Sequence, residues 1–106
     1  MAFQLGSALL DACVLAVLAK EDAYGYSLTQ QVREVMDISE STLYPVLRRL
    51  QKGDYLSTYD QPFQGRNRRY YKITESGRLK YEQLVSEWNE YKHKIDHVLL
   101  GGLGDD

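Results

Sequence analysis

The C-terminal part of the chain carries an apolar heptad stripe that is longer than so small a protein can cover with its own core. Thr74 is a suitable N-cap for a helix that runs from Glu75 to about Leu100, and at 1.5 Å per residue this helix spans roughly 39 Å. Its apolar residues are spaced 3, 4, 3, 4 and 3 positions apart, and they are Tyr81, Leu84, Trp88, Tyr91, Ile95 and Val98. Such spacing is typical of helices that pair along one seam. The chain's own core accounts for the first turns only, so we predict a dimer interface.

The preceding residues predict three shorter helices followed by a two-stranded hairpin. Helices are expected over 5–19, 27–36 and 40–52, the second with Val35 facing inward and the third between an N-cap at Ser39 and Gly53. Strands over 56–59 and 69–73 leave a connection that is long for a hairpin. This order predicts a mainly α fold with a small β-hairpin, comprising a winged helix-turn-helix domain over 1–74, a C-terminal dimerisation helix over 75–100 and a flexible tail over 101–106.

Charge is strongly segregated along the chain, although the net charge is only −2. Nine of the thirteen Lys and Arg residues lie between Pro45 and Lys80, together with three acids, so that this block carries +6. The segments before and after it, 1–44 and 81–106, each carry −4. Clustered cations on a compact element indicate a surface for a polyanion. A solvated surface with chance clustering is the plain alternative.

The third predicted helix carries its polar and cationic side chains opposite its apolar stripe. The residues expected to face outward are Ser41, Thr42, Tyr44, Arg48, Arg49 and Lys52. A winged helix-turn-helix inserts this helix into the major groove of double-stranded DNA, where such side chains reach base edges and phosphates. The hairpin forms the wing, and its tip carries Arg66, Asn67 and Arg68. We predict that these two sets of residues bind DNA.

Two other functional classes are alternatives to DNA binding. A winged-helix module that binds protein would favour an apolar outer face on the third helix, and the cationic face favours DNA instead. For an enzyme, the chain offers no Gly-rich phosphate loop and no supported catalytic constellation, so neither catalytic residues nor a cofactor are predicted. His93 and His97 lie four positions apart without a third ligand, and no metal site is predicted.

The apolar run from Leu9 to Ala19 is read as a core helix. It lacks a preceding basic segment and contains Asp11, unlike a signal peptide, and it is too short and interrupted to cross a membrane. Cys13, the single cysteine, permits no intramolecular disulfide and is expected to be a small core residue. We therefore predict a cytoplasmic protein without a membrane partner.

Three segments of the chain are distinctive when they occur together and in this order: AYGY (23–26), STLYPVLRRL (41–50) and RRYYKITESG (68–77). In this order they resemble the PadR family of bacterial transcriptional regulators. The single C-terminal helix is similar to the short subfamily. This resemblance implies a homodimeric repressor with a winged helix-turn-helix fold.

Trp88 lies in the middle of the heptad stripe, near the expected crossing of two such helices. A bulky indole there would hold the helices apart and leave a slot in which flat aromatic compounds stack. The resemblance supports this reading, because some short PadR-like regulators sense hydrophobic drugs at a dimer interface. Plain core packing of the ring is the simpler alternative.

Overall fold

The computed structural model describes residues 5–101 and confirms a mainly helical, winged helix-turn-helix architecture. The elements are α1 (Leu5–Lys20), β1 (Ala23–Tyr24), α2 (Gly25–Arg33), α3 (Glu40–Lys52), β2 (Leu56–Phe63), β3 (Arg66–Ile73) and α4 (Glu75–Leu99). The strands form one antiparallel sheet in the order β1-β3-β2. The predicted flexible tail lies outside the described residues apart from Gly101.

Helix α1 lies at the centre of the core because it is apolar on nearly all sides. A helix of this kind is covered by several neighbours at once, and α2, α3, β3 and α4 all contact α1. The buried hydrophobic residues are Leu10, Val14, Leu15, Leu18, Ala23, Leu28, Val32, Leu43, Leu47, Leu50, Leu56, Ile73 and Leu84. Within residues 5–101, no helix has the length and apolarity needed to cross a membrane.

Helix α2 ends earlier than predicted, and this turns one apolar residue outward. It runs over Gly25–Arg33 and does not reach Met36. The backbone N–H groups of Val35 and Met36 both donate to the carbonyl of Val32, so the chain leaves the helix in a turn. The helical spacing that would place Val35 inward therefore ends before Val35. Val35 was predicted to face inward and is 73% exposed, whereas Met36 and Ile38 pack against the core.

The wing is a tight hairpin, and the prediction of a long connection between its strands is wrong. Strands β2 and β3 continue until Phe63 pairs with Arg66. Only Gln64 and Gly65 join them, with φ angles of 51° and 79°. A two-residue hairpin turn with two positive φ angles matches the right-handed twist of the strands. Glycine adopts this conformation without steric cost, and Gln64 adopts it as an exception.

Helix α4 begins at a junction where three segments of backbone meet. The side-chain oxygen of Thr74 accepts a hydrogen bond from the Gly77 N–H at 2.9 Å, which confirms Thr74 as the N-cap. The same hydroxyl donates to the carbonyl of Asp54 at 2.6 Å, and the Thr74 N–H donates to the carbonyl of Tyr55 at 3.1 Å. The start of α4 is thereby tied to the turn that follows α3.

The distal half of α4 extends beyond the core of its own chain. The molecule measures 64 × 26 × 21 Å with a radius of gyration of 16.3 Å, compared with about 13 Å for a compact domain of 100 residues. Leu84 is buried at 3% exposure, but Ile95 is 36% exposed and Val98 is exposed as well. The predicted heptad stripe of α4 therefore has two parts. Leu84 belongs to the chain's own core, which corrects its assignment to the dimer interface, whereas Ile95 and Val98 extend beyond that core.

Candidate nucleic-acid interface

The N-terminus of α3 presents a group of hydroxyls. The side chain of Ser39 accepts a hydrogen bond from the Thr42 N–H at 3.3 Å, so the predicted N-cap is confirmed. Its Oγ atom also lies 2.9 Å from the Oγ of Ser41 and 3.1 Å from the Oγ1 of Thr42. These three residues are exposed. The cap thus holds Ser41 and Thr42 at the surface, next to the positive end of the helix dipole.

One face of α3 carries an aromatic ring and two cations at helical spacing. Tyr44, Arg48 and Lys52 follow one another at intervals of four residues and are all exposed, so they share one side of the helix. The apolar stripe of α3, with Leu43 and Leu47, is buried on the opposite side. These three side chains face outward, as predicted. We call this face, together with Ser41 and Thr42, the outer face of α3.

Tyr71 lies at the base of the wing, where it is half-buried against the core. Burial raises the pKa of this tyrosine above its ordinary value, and the nearby groups of Arg69, Tyr44 and Arg48 act on the same hydroxyl. Two of these groups belong to α3 and one to β3. Helix α3 also contacts β2, so it lies beside the base of the wing.

Arg49 is exposed, as predicted, but it has a partner that the sequence did not indicate. Its guanidinium donates two hydrogen bonds to Asp11 on α1, from Nη2 to Oδ1 at 2.6 Å and from Nη1 to Oδ2 at 3.1 Å. This pairing raises the pKa of Arg49 above its ordinary value. The guanidinium is held against α1 while 52% of the side chain stays exposed, and contact of Arg49 with DNA stays a prediction.

Arg68, predicted as a phosphate contact, packs against two aromatic rings, and the phosphate contact stays a prediction. Its guanidinium carbon lies 3.6 Å from the ring centroid of Phe63 and 4.0 Å from that of Tyr24. Stacking of a cation on aromatic faces is stabilising, and it holds this side chain along the wing. Arg66 and Asn67 are exposed at the tip, as predicted.

Aromatic packing continues from Arg68 towards the base of the wing. The rings of Tyr59 and Tyr70 are stacked with their centroids 5.4 Å apart, and Tyr24 meets Tyr70 edge to face at 5.8 Å. The hydroxyl of Tyr59 donates to Oδ2 of Asp22 at 2.7 Å. These residues and Arg68 and Phe63 form what we call the wing ladder, which joins β1, β2 and β3.

An apolar groove runs between α1 and α4. It has a volume of about 220 Å³ and is lined by Leu9, Ala12, Cys13, Ala16, Tyr81, Leu84, Val85 and Trp88. The rings of Trp88 and Tyr91 lie 6.2 Å apart. Burial raises the pKa of Cys13, which disfavours the thiolate and agrees with its predicted role as a core residue.

Sequence reasoning missed the partners of the two arginines. Asp11 pairs with Arg49, and Tyr24 and Phe63 enclose Arg68. One signal pointed to Asp11, because it is the single charge in the run from Leu9 to Ala19 and a buried charge needs a partner. No local signal pointed to the aromatic enclosure of Arg68.

The elements and their surfaces define a winged helix-turn-helix protein with an extended C-terminal helix. Helix α3 contacts β2 of the wing, and α3 and the wing are the elements with which this class approaches DNA. The chain belongs to the transcriptional regulator PadR-like family, whose sequence profile matches residues 14–83. The family resemblance of the AYGY, STLYPVLRRL and RRYYKITESG segments is thus confirmed.

Individual relatives agree with this assignment. The crystal structure of smu.1704 from Streptococcus mutans UA159 is 42% identical, with a TM-score of 0.85 and coverage of 95% of each chain. The transcriptional regulator Rv3488 of Mycobacterium tuberculosis is 36% identical over 90 residues, which are 84% of this chain and 80% of that protein. Bacillus subtilis PadR in complex with operator DNA has the same fold at 20% identity, with a TM-score of 0.66 and coverage of 73% of this chain and 46% of that one.

Proposed function

We propose that this transcriptional regulator is a homodimeric repressor that binds an inverted-repeat operator. The observation that carries the proposal is the outer face of α3, where Tyr44, Arg48 and Lys52 are exposed on a helix that contacts β2 of the wing. Hydroxyl and aromatic groups near the N-terminus of α3, with cationic groups further along the same face, suit base edges and phosphates. The structure of Bacillus subtilis PadR with operator DNA supports the same use of this fold.

Dimerisation through α4, together with α1, supplies the symmetry that an inverted repeat requires. Tyr81, Trp88 and Tyr91 are only partly covered by the chain's own core, and Ile95 and Val98 extend the stripe beyond it. A second copy that covers this stripe would be related by a two-fold axis. Its α3 would then lie about one DNA turn, roughly 34 Å, from the first.

Operator binding is tested by footprinting on the DNA upstream of the protein's own gene and by gel shifts with two variants. Tyr44→Ala is expected to weaken operator binding by about 1–3 kcal/mol, the range for a base contact, and to spare random DNA. Arg66→Ala should weaken binding to both DNAs and lower the slope of log K against log salt by about 1, because it removes one phosphate contact.

Lys92→Ala is the matched control for Arg66→Ala, since it removes one exposed cation from α4 and not from the wing. Equal losses for Tyr44→Ala on operator and random DNA would show that Tyr44 reads no base. A wild-type protein that binds no DNA and captures a protein through α3 would instead support the alternative, a protein-binding winged-helix module.

Release of the operator by a small aromatic compound is the second part of the proposal, and the groove between α1 and α4 favours it. Trp88 lines this groove with alanines and other apolar side chains, an environment that suits a flat hydrophobic ligand. A ligand there would change the distance between the two subunits. Their α3 helices would then no longer match the spacing of the two operator half-sites.

Trp88 reports on such binding directly, because it is the single tryptophan of the chain. Titration with planar cationic dyes is expected to quench its fluorescence and to release operator DNA from the wild type. In Trp88→Ala the same dyes should no longer release the DNA. A broad panel of compounds that neither quenches the fluorescence nor releases the DNA would leave Trp88 as a packing residue.

A further inference from the structure

A bidentate ion pair connects α1 to α3. Asp11 is the buried charged residue within residues 5–101, with 8% of its side chain exposed, while the side chain of Arg49 is 52% exposed. The two side chains meet through parallel N–H···O bonds of 2.6 and 3.1 Å. Such a fork fixes both the separation and the relative orientation of the groups it joins.

Stability alone gives little reason for this pair. Burying a carboxylate is unfavourable, and replacing a buried ion pair with apolar residues of similar size is often neutral or stabilising. The neighbours of Asp11 are apolar on both sides, Leu10 and Ala12, so an apolar residue would fit the pattern of α1. The best-attested use of a buried polar pair is to fix one arrangement of two helices against others.

The position of the pair determines which arrangement it fixes. Arg49 directly follows Arg48 and lies five residues beyond Tyr44 on the same helix, so its guanidinium anchors the helix that carries the outer face. On α1, the residues after Asp11 are Ala12 and Cys13, which line the groove shared with α4. The ion pair therefore joins α1, which lines the groove, to α3, which carries the proposed DNA-binding face.

We propose that Asp11 is a positioning residue for DNA recognition, which acts through Arg49 by setting the rotation of α3 on α1. The proposal rests on operator binding as the proposed function. Arg49 then contributes to operator affinity through the orientation of Tyr44 and Arg48, and not through a phosphate contact of its own.

The sign of the effect of Asp11→Asn separates positioning from simple electrostatics. The substitution removes a negative charge from a protein that would bind a polyanion, and it frees Arg49. Both changes would strengthen DNA binding if Arg49 were a phosphate ligand. Loss of the fork is expected instead to weaken operator binding roughly tenfold, the effect of disturbing one well-aligned base contact.

A double variant, Asp11→Leu with Arg49→Met, keeps the net charge and removes the buried carboxylate. It is expected to unfold thermally at or above the wild-type temperature and to bind random DNA as the wild type does. Its operator affinity should fall roughly tenfold, as for Asp11→Asn. This combination of retained stability and lost operator preference is what a purely structural ion pair would not produce.

Wild-type operator affinity in the folded double variant would overturn the proposal, and so would an equal loss on operator and random DNA. Tighter operator binding by Asp11→Asn would overturn it in favour of a direct phosphate contact from Arg49. A wild-type protein that shows no preference for its operator refutes the proposed function itself, and that failure is visible before any variant is compared.

Discussion

Replacing Gly77 with alanine is expected to destabilise the protein by about 3 kcal/mol or more. Gly77 is buried in the first turn of α4. A Cβ atom added to it would overlap the carbonyl oxygen of Tyr55 and come within 2.7 Å of Cγ1 of Ile73. The Tyr55 carbonyl is backbone and accepts the hydrogen bond from Thr74, so it has little freedom to move aside.

The direction of this effect is opposite to that of helix propensity. Alanine in a helix is ordinarily about 1 kcal/mol more favourable than glycine. Gly6→Ala is the matched control, because Gly6 lies in the first turn of α1 and a Cβ there meets nothing within 4 Å. Denaturant titration should show Gly6→Ala equal to or more stable than the wild type. Wild-type stability in Gly77→Ala would disprove the close approach of α4 to Tyr55.

Aspartate at two positions of the heptad stripe is expected to give two different failures. Leu84→Asp buries a carboxylate in the chain's own core, where Leu84 is 3% exposed, and should cost about 4 kcal/mol or more. That loss is comparable with the whole stability of a small domain. Ile95→Asp changes a residue that is 36% exposed, so the chain should fold but no longer associate.

Circular dichroism and analytical ultracentrifugation distinguish these outcomes. Leu84→Asp should lose helicity, and Ile95→Asp should retain it as a monomer that no longer binds operator. His93→Asp adds the same charge to α4 away from the stripe and should remain dimeric. A wild-type protein that is monomeric at micromolar concentration would contradict the proposed interface.

Local signals in the sequence predicted the boundaries of α3 and α4. Ser39 and Thr74 both accept a hydrogen bond from the backbone N–H three residues further on. Capping of this kind depends on side chains and amides that are neighbours along the chain. The periodicity of α3 likewise predicted which of its residues are buried, since Leu43 and Leu47 recur at helical spacing.

The misses concern contacts between residues distant in sequence. Arg49 and Asp11 are 38 positions apart, and Tyr59 and Asp22 are 37 apart. Helical periodicity assigns Arg49 to one side of α3 but does not identify a partner on α1. The same reasoning applies to Leu84, because heptad spacing describes an apolar stripe equally well whether the chain's own core or a second copy covers it.

The two-residue turn of the hairpin was missed for a different reason. Asn-Gly or Asp-Gly signals a two-residue turn, and this chain has Gln64-Gly65 in a left-handed conformation. Strand β1 has only two residues, and its pairing with Tyr70 and Tyr71 of β3 leaves no alternation to detect. Short strands of this kind are defined by their partner and not by their own composition.

The wing ladder has a thermodynamic consequence for any partner that the wing meets. A hairpin that became ordered only on binding would lose conformational entropy at that moment, and affinity would fall accordingly. Here the stacking of Arg68 between Phe63 and Tyr24, and of Tyr59 on Tyr70, orders the hairpin as part of folding. The entropy loss is therefore part of the folding free energy, and Arg66 is carried by a hairpin that is already paired up to Phe63 and Arg66 before any partner binds.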